Sequence, residues 1–231
     1  MMTTVFIISA PSGSGKSTLV NKIREIVSDL DFSVSYTTRK PRGPEKDRRE
    51  YCFVSRAEFE EMIQRDEFLE YADVFGNYYG TAKRTLEEAK RNGRDLLLDI
   101  DVQGAEQVKQ KIAEAVRIFV LPPNRQELEK RLRLRSQDAE EVIQRRLDTA
   151  TREIEKYSEY DYILINDHLD ESVAALRAIL TVERARRAAN QQSTIDADTI
   201  ARAESCRLKN VGNRLSPILA SFAAATAQGG R

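Results

Sequence analysis

The sequence predicts an α/β fold, a parallel sheet with helices on both faces. Three observations carry that expectation. Short apolar, β-branched runs alternate with segments of helical periodicity. The first such run leads directly into a glycine-rich turn and then a helix. A later run, Asp95–Asp101 (DLLLDID), is almost wholly apolar and ends in acids. That is the pattern of an interior strand, buried on both faces, whose C-terminal end carries function. The 231 residues are 41% hydrophobic and 32% charged, with 37 basic and 37 acidic side chains. This balance suits a globular chain and argues against a broad nucleic-acid surface, which needs excess positive charge. No apolar run reaches the roughly 18 residues that cross a bilayer. The N-terminus has no basic segment leading into an apolar stretch of leader length. Neither nucleic acid nor membrane is therefore expected as a partner, and nothing points to an oligomeric state. Cys52 and Cys206 are the only cysteines and His168 the only histidine. A disulfide framework and a multi-histidine metal site are thereby excluded, and the cytoplasm is the expected setting.

Taken in order, Thr4–Ser9 (TVFIIS) reads as a buried strand. Lys16–Leu30 reads as a helix, with Leu19, Ile23, Ile26, Val27 and Leu30 on one face. Phe32–Tyr36 is expected to be extended. The charged stretch 37–50, with Pro41 and Pro44, reads as a loop. Tyr51–Val54 is a short strand, and a helix opened by Ser55 carries Phe59, Met62 and Ile63. Phe68–Phe75 is extended, Gly76-Asn77 marks a turn, and Lys83–Arg91 is a helix stopped by Asn92-Gly93. After Asp95–Asp101, the spacing predicts a helix over Gln103–Lys111 and a strand over Arg117–Leu121. Two charged helices follow, Arg125–Arg135 and Glu140–Tyr157, then a strand, Tyr160–Ile165, and a last helix, Asp170–Arg187. Beyond it the composition turns alanine-rich with weak periodicity. Residues 188–231 are read as a mostly mobile tail, with a helix around 196–207, and a chain ending at Arg187 is expected to keep its activity.

The turn after the first strand is Ala10-Pro11-Ser12-Gly13-Ser14-Gly15-Lys16-Ser17. It fits the phosphate-loop pattern, with Ala10 in place of the first glycine. Gly13 and Gly15 let backbone N–H groups approach phosphate oxygens, and the helix N-terminus faces the anion. Lys16 would reach the β- and γ-phosphates, and the Ser17 hydroxyl would ligate Mg²⁺. Asp99, at the end of its apolar strand, is the natural partner for the metal shell. This establishes a nucleoside-triphosphate site without separating kinase from hydrolase.

Further motifs narrow the reading. Ser35-Tyr36-Thr37-Thr38-Arg39-Lys40-Pro41-Arg42 is followed by Tyr51, by Phe68-Leu69-Glu70 and by Gly76-Asn77-Tyr78-Tyr79-Gly80-Thr81. Leu98-Asp99-Ile100-Asp101-Val102-Gln103-Gly104 completes the set. With these motifs in this order, from about Thr4 to Arg187, the sequence closely resembles guanylate kinase. The resemblance implies a P-loop core, a GMP-binding insert at about 36–89 and a lid at about 124–150. It implies γ-phosphoryl transfer from MgATP to GMP. Ser35, Arg39, Arg42, Tyr51 and Tyr79 fall where the family holds the GMP phosphate. Two arginines three apart can clamp one phosphate, although alone they would read as a solvated basic loop. Glu70 falls at the guanine reader, where a carboxylate accepts from both N1–H and the N2 amine, a match adenine cannot give. Thr81 and Asp101 fall at the other base-contacting positions, and Asp99 is placed with them. Arg131, Arg135 and Arg146 match the lid arginines that stabilise the transferring group. Arg133 and Arg145 are equally basic neighbours with no such match.

The sequence departs from the family pattern in two places. Gly43-Pro44-Glu45 stands where Pro-Gly-Glu is usual, with Arg48 at a glycine position, and Leu134 and Ser136 replace glycines beside Arg135. Among rivals, the guanylate-kinase-like binding modules typically lose the loop lysine and glycines, which are present here. A P-loop GTPase would carry an Asn-Lys-x-Asp guanine reader, which is absent. A related kinase with another acceptor is opposed by Glu70 and Asp101.

Overall fold

A computed structural model of the chain describes residues 3–74, 76–135, 139–187 and 195–226. The chain divides into two compact units, Met1–Ile7 with Asp29–Ala115, and Ile8–Ser28 with Val116–Arg231. The expected parallel sheet is present, in the order β2-β7-β1-β8-β9. Its strands are β1 (Val5–Ser9), β2 (Leu30–Phe32), β7 (Asp95–Asp99), β8 (Val116–Leu121) and β9 (Tyr162–Ile165). β2 pairs with β7, and β8 with β9, in parallel. Five consecutive buried residues in β1 and three leucines in β7 show why these runs lack polar alternation.

Helix α1 (Lys16–Ile26) is shorter than the periodicity predicts. Asp29 takes a left-handed φ of 57°, and Leu30 opens β2 instead. Leu30 lies seven residues after Ile23, so a buried strand residue falls by coincidence in the helical stripe. The expected strand Phe32–Tyr36 also divides. Its start belongs to β2 and its end to β3 (Tyr36–Thr37) of a second sheet.

That second sheet has the order β4-β3-β6-β5, with β4 (Cys52–Phe53), β5 (Phe68–Val74) and β6 (Asn77–Ala82). β6 is antiparallel to both neighbours. Its sequence, NYYGTA, gave no strand signal because Asn77 and Gly80 read as turn residues. Gly80 is there for packing: a Cβ would lie 2.9 Å from the Glu70 carbonyl oxygen and 2.9 Å from the Phe68 ring. Helix α2 (Arg56–Gln64) is capped by Ser55, whose hydroxyl accepts from the Glu58 N–H at 3.1 Å. It buries Phe59 and Met62 with Tyr36, Phe68 and Ala82, and Phe59 stacks on Phe68 at 4.3 Å. Phe75 lies outside the described residues. Helices α3 (Lys83–Arg91) and α4 (Val102–Lys111) complete this unit.

The other unit adds α5 (Arg125–Arg135), α6 (Glu140–Ile154), α7 (Leu169–Arg187), α8 (Ala197–Ser205) and α9 (Gly212–Thr226). The mostly mobile tail suggested by composition is corrected by these last two helices. Asp196 caps α8, near the helix expected around 196–207, and Ala203, Cys206, Val211, Leu215, Ile218 and Phe222 are buried. The segment after α8 pairs with β9, the outer strand of its sheet. The Ile163 N–H donates to the Cys206 carbonyl at 2.8 Å, and the Leu208 N–H to the Asp161 carbonyl at 3.1 Å. Behind this pairing the buried Tyr162 hydroxyl donates to Glu183 at 2.5 Å. Arg186 and Arg207 donate to the same carboxylate and also to Glu204. Alanine-rich composition hides this because the apolar anchors are spaced widely among small residues. Ending the chain at Arg187 is therefore expected to lower Tm sharply or abolish folding, read by thermal melts. Phe222→Ala should cost about 3–5 kcal/mol in urea unfolding.

Candidate functional site

The phosphate loop is shaped by two residues with positive φ, Gly13 at 92° and Gly15 at 88°. The Ser14 N–H donates to the Pro11 carbonyl at 3.1 Å, and Gly15 serves as N-cap of α1 without any side-chain cap. The first-turn N–H groups of α1 thus have no capping side chain, as an anion site requires. The loop is backed by α5: a Cβ on Gly13 would lie 2.9 Å from Leu132. Asn166, just after β9, is buried and donates to the Ser14 carbonyl at 2.7 Å. A Cβ on Gly15 would lie 2.4 Å from the same amide nitrogen. Sequence reading missed Asn166, since a single Asn after a strand carries no local signal. Ala10 is half-buried and Pro11 buried, Ser12 and Lys16 are half-buried, and the Ser17 side chain is exposed on the first turn of α1. The buried Ser14 hydroxyl has no hydrogen-bond partner among the described residues.

Of the expected lid arginines, Arg131 is half-buried on α5, bonded to Glu127 at 2.9 Å and to the Asn166 carbonyl at 3.0 Å. Asn166 thus joins Arg131 to the phosphate loop. Arg133 points elsewhere, paired with Glu129 and Glu140 on the surface. Arg146 is half-buried on α6. The Arg135 side chain lies outside the described residues, as does Ser136.

The residues expected on the acceptor side gather in the other unit. Arg39 is buried at the end of β3 and donates from Nε to the Tyr79 hydroxyl at 3.2 Å. Its guanidinium carbon lies 5.2 Å from the centre of the Tyr51 ring, and Tyr51 meets Tyr79 edge-on at 5.8 Å. Ser35 adjoins them, its carbonyl accepting from the Cys52 N–H at 2.9 Å. Glu45 holds Arg39 through two bonds of 2.9 and 3.0 Å, and accepts from the exposed Arg42's backbone N–H at 2.7 Å. The pair holds the Glu45 carboxyl below, and the Arg39 guanidinium above, its ordinary pKa. Arg48, which stands at a glycine position of the family pattern, sits at a φ of 59°, in the left-handed region that costs a residue with a side chain about 1–2 kcal/mol.

Glu70 is 3% exposed on β5. Burial, with Asp101 adding repulsion, pushes its carboxyl up to about 7 against the pull of Thr81 and Lys111. The Thr81 hydroxyl, also buried, is near enough to stabilise the carboxylate yet makes no well-formed hydrogen bond among the described residues. Asp101 caps α4 by accepting from the Gly104 N–H at 2.8 Å. Gly104 is required here, because a Cβ would stand 2.4 Å from Glu70 Oε2. Glu70, Thr81 and Asp101 are thus brought together, as expected. Asp99 ends β7, half-buried. The Thr81 hydroxyl and the carboxyl oxygens of Glu70 and Asp101 are thus gathered at one place.

The raised carboxyl fixes a stability prediction. Above about pH 7 the folded protein must carry a buried charge, whereas below the ordinary carboxyl value of 4.5 the penalty is gone. Glu70→Gln should therefore raise Tm at pH 8, by the equivalent of up to about 3 kcal/mol, and the gain should fade as pH falls to 5.

The chain matches the guanylate kinase family model over residues 2–183. It is 55% identical over 229 residues to a guanylate kinase of Koribacter versatilis (strain Ellin345), covering 98% of each chain, so most of the segment after Arg187 is aligned too. It is 48% identical over 191 residues to a guanylate kinase of Escherichia coli (strain K12), covering 82% of this chain and 92% of that one. The crystal structure of guanylate kinase from Anaplasma phagocytophilum is similar, with a TM-score of 0.67 and 32% identity over 84% of this chain and 97% of that one. The motifs, the fold and the extent of these matches agree, and the chain belongs to the guanylate kinase family.

Proposed function

We infer that the chain transfers the γ-phosphoryl group of ATP to GMP, giving ADP and GDP. The observation that carries this reading is the buried Glu70 carboxyl beside an unpartnered Thr81 hydroxyl and the Asp101 cap. As a carboxylate it accepts from guanine N1–H and the N2 amine, with Thr81 and Asp101 completing the base contacts. Arg39 and Arg42, with Ser35, Tyr51 and Tyr79, would hold the GMP phosphate; there Glu45 keeps the Arg39 fork oriented for a planar, bidentate anion. The phosphate loop, residues 10–17, would hold the ATP phosphates, and Lys16 would follow the charge that builds on the γ-phosphoryl group. Arg131, Arg135 and Arg146 supply the remaining stabilisation. The attacking GMP oxygen is already anionic at neutral pH, so no general base is required.

Mg²⁺ fits this donor set. The described residues contain no group of three or more His, Cys, Asp or Glu side chains able to hold a metal ion, and the ion of nucleotide enzymes is held largely by phosphate oxygens and water. Ser17 and Asp99 are proposed for its shell, where it would neutralise the β- and γ-phosphate charge. No helix among the described residues is long and apolar enough to cross a membrane. Both cysteines are free, which suits a reducing compartment such as the cytoplasm. GMP and ATP are the proposed partners, with neither nucleic acid nor lipid.

A coupled ADP-release assay with GMP, AMP, UMP or no acceptor tests the reading. ADP release should require GMP, with AMP turned over about 10⁴-fold less efficiently because a site built to bond N–H groups is left unpaired by adenine. Equal rates with AMP, or without acceptor, would reject it. Lys16→Ala should keep the circular dichroism spectrum and lose at least about a hundredfold in kcat. Protonating Glu70 removes an acceptor, so the KM for GMP should rise below about pH 7 while the KM for ATP stays flat.

A further inference from the structure

Glu70 occupies a poorly held place in the backbone. It lies on β5, the outer strand of the β4-β3-β6-β5 sheet, at a register shift between the Phe68–Ala82 and Glu70–Thr81 pairs. A bulged outer strand lacks ladder bonds on one side and bends readily. A carboxylate that must meet two N–H groups of one base needs its backbone fixed to a fraction of an ångström.

Helix α4 supplies what the missing strand would. The Gln107 amide accepts from the Tyr71 N–H at 3.2 Å and donates to the Tyr71 carbonyl at 2.6 Å, as a neighbouring strand residue would. The Lys111 ammonium donates to the Leu69 carbonyl at 2.5 Å. The main chain on both sides of Glu70 is thus tied to one helix. Gly104, on the same helix, leaves room for the Glu70 carboxyl itself. Positions 104, 107 and 111 recur at the spacing of one helical face. Asp101 caps the helix, so α4 sets the place of both acids assigned to the base.

We propose that Gln107 and Lys111 are positioning residues for base selection: they hold the bulged edge of β5 so that the Glu70 carboxylate meets guanine N1–H and the N2 amine together. The inference rests on the reading of Glu70 as the guanine acceptor. IMP is the discriminating probe, since hypoxanthine keeps N1–H and lacks the N2 amine. The ratio of kcat/KM for GMP to that for IMP therefore reports the second hydrogen bond.

The test uses full-length Gln107→Met, Lys111→Met, Lys111→Arg and, in parallel, Glu70→Gln. Gln107→Met and Lys111→Met should each lower kcat/KM for GMP by about tenfold and for IMP by less, so that the ratio contracts at least about threefold. The KM for ATP should hold, and Lys111→Arg, which keeps a donor, should restore the ratio. The exposed Lys111 provides the same readout should Gln107→Met fail to fold. If Glu70→Gln contracts the ratio while both methionine variants leave it intact, the positioning role is overturned. An equal fall for GMP and IMP with a lowered Tm also overturns it, leaving only a structural role. If Glu70→Gln itself leaves the ratio unchanged, the guanine reading fails and the inference falls with it.

Discussion

A carboxyl group placed out of reach of water constrains the unit built around the β4-β3-β6-β5 sheet more than any other single feature. Burying Glu70 is costly unless something compensates; among the described residues no cation lies within ion-pair distance, and the Lys111 charge offsets the cost only in part. The structure answers with local geometry. Gly104 gives up a side chain to admit the carboxyl, and Gly80 lets β6 approach the Glu70 backbone. Phe59, stacked between Phe68 and Tyr78, packs the same sheet. The result is a carboxyl group raised to about 7, near neutrality.

The phosphate loop solves the opposite problem. It must present donors and positive charge without collapsing on itself. Its two left-handed glycines are held from outside, by Leu128 and Leu132 of α5 and by Asn166 beyond β9. Because Arg131 bonds the carbonyl of that same Asn166, an arginine proposed for the lid and the loop share one anchor. A change at Asn166 would be felt by both.

What could be read in the sequence was what chemistry forces into short motifs. The loop at 10–17 is recognisable because its residue types and spacing suit phosphate, while Arg39, Arg42 and Glu70 stand out only through the order of motifs around them. The strands β1, β7 and β8 and helix α3 were legible because burial on both faces, or one apolar stripe, leaves a local signature. The rest depended on distance. Asn166 acts on a residue 152 positions away. Glu45 orients Arg39 within a loop whose charges all look alike in sequence. β6 hides behind an asparagine and a glycine retained for packing. In the tail, Cys206, Leu215, Ile218 and Phe222 find their partners only once the sheet exists.

The pairing of residues 206–208 with β9 has a consequence for synthesis. β9 is the outer strand of the larger sheet, and the segment that covers it comes about forty residues later in the chain. On the ribosome those residues emerge after the strand has been made, when an exposed strand edge is prone to pair with other chains. The nascent protein thus carries an open sheet edge, with Tyr162 and Glu183 lacking Arg207, until residues 206–208 have left the exit tunnel. Emergence of this covering segment, rather than of the residues proposed for the site, marks when this molecule becomes safe from its neighbours.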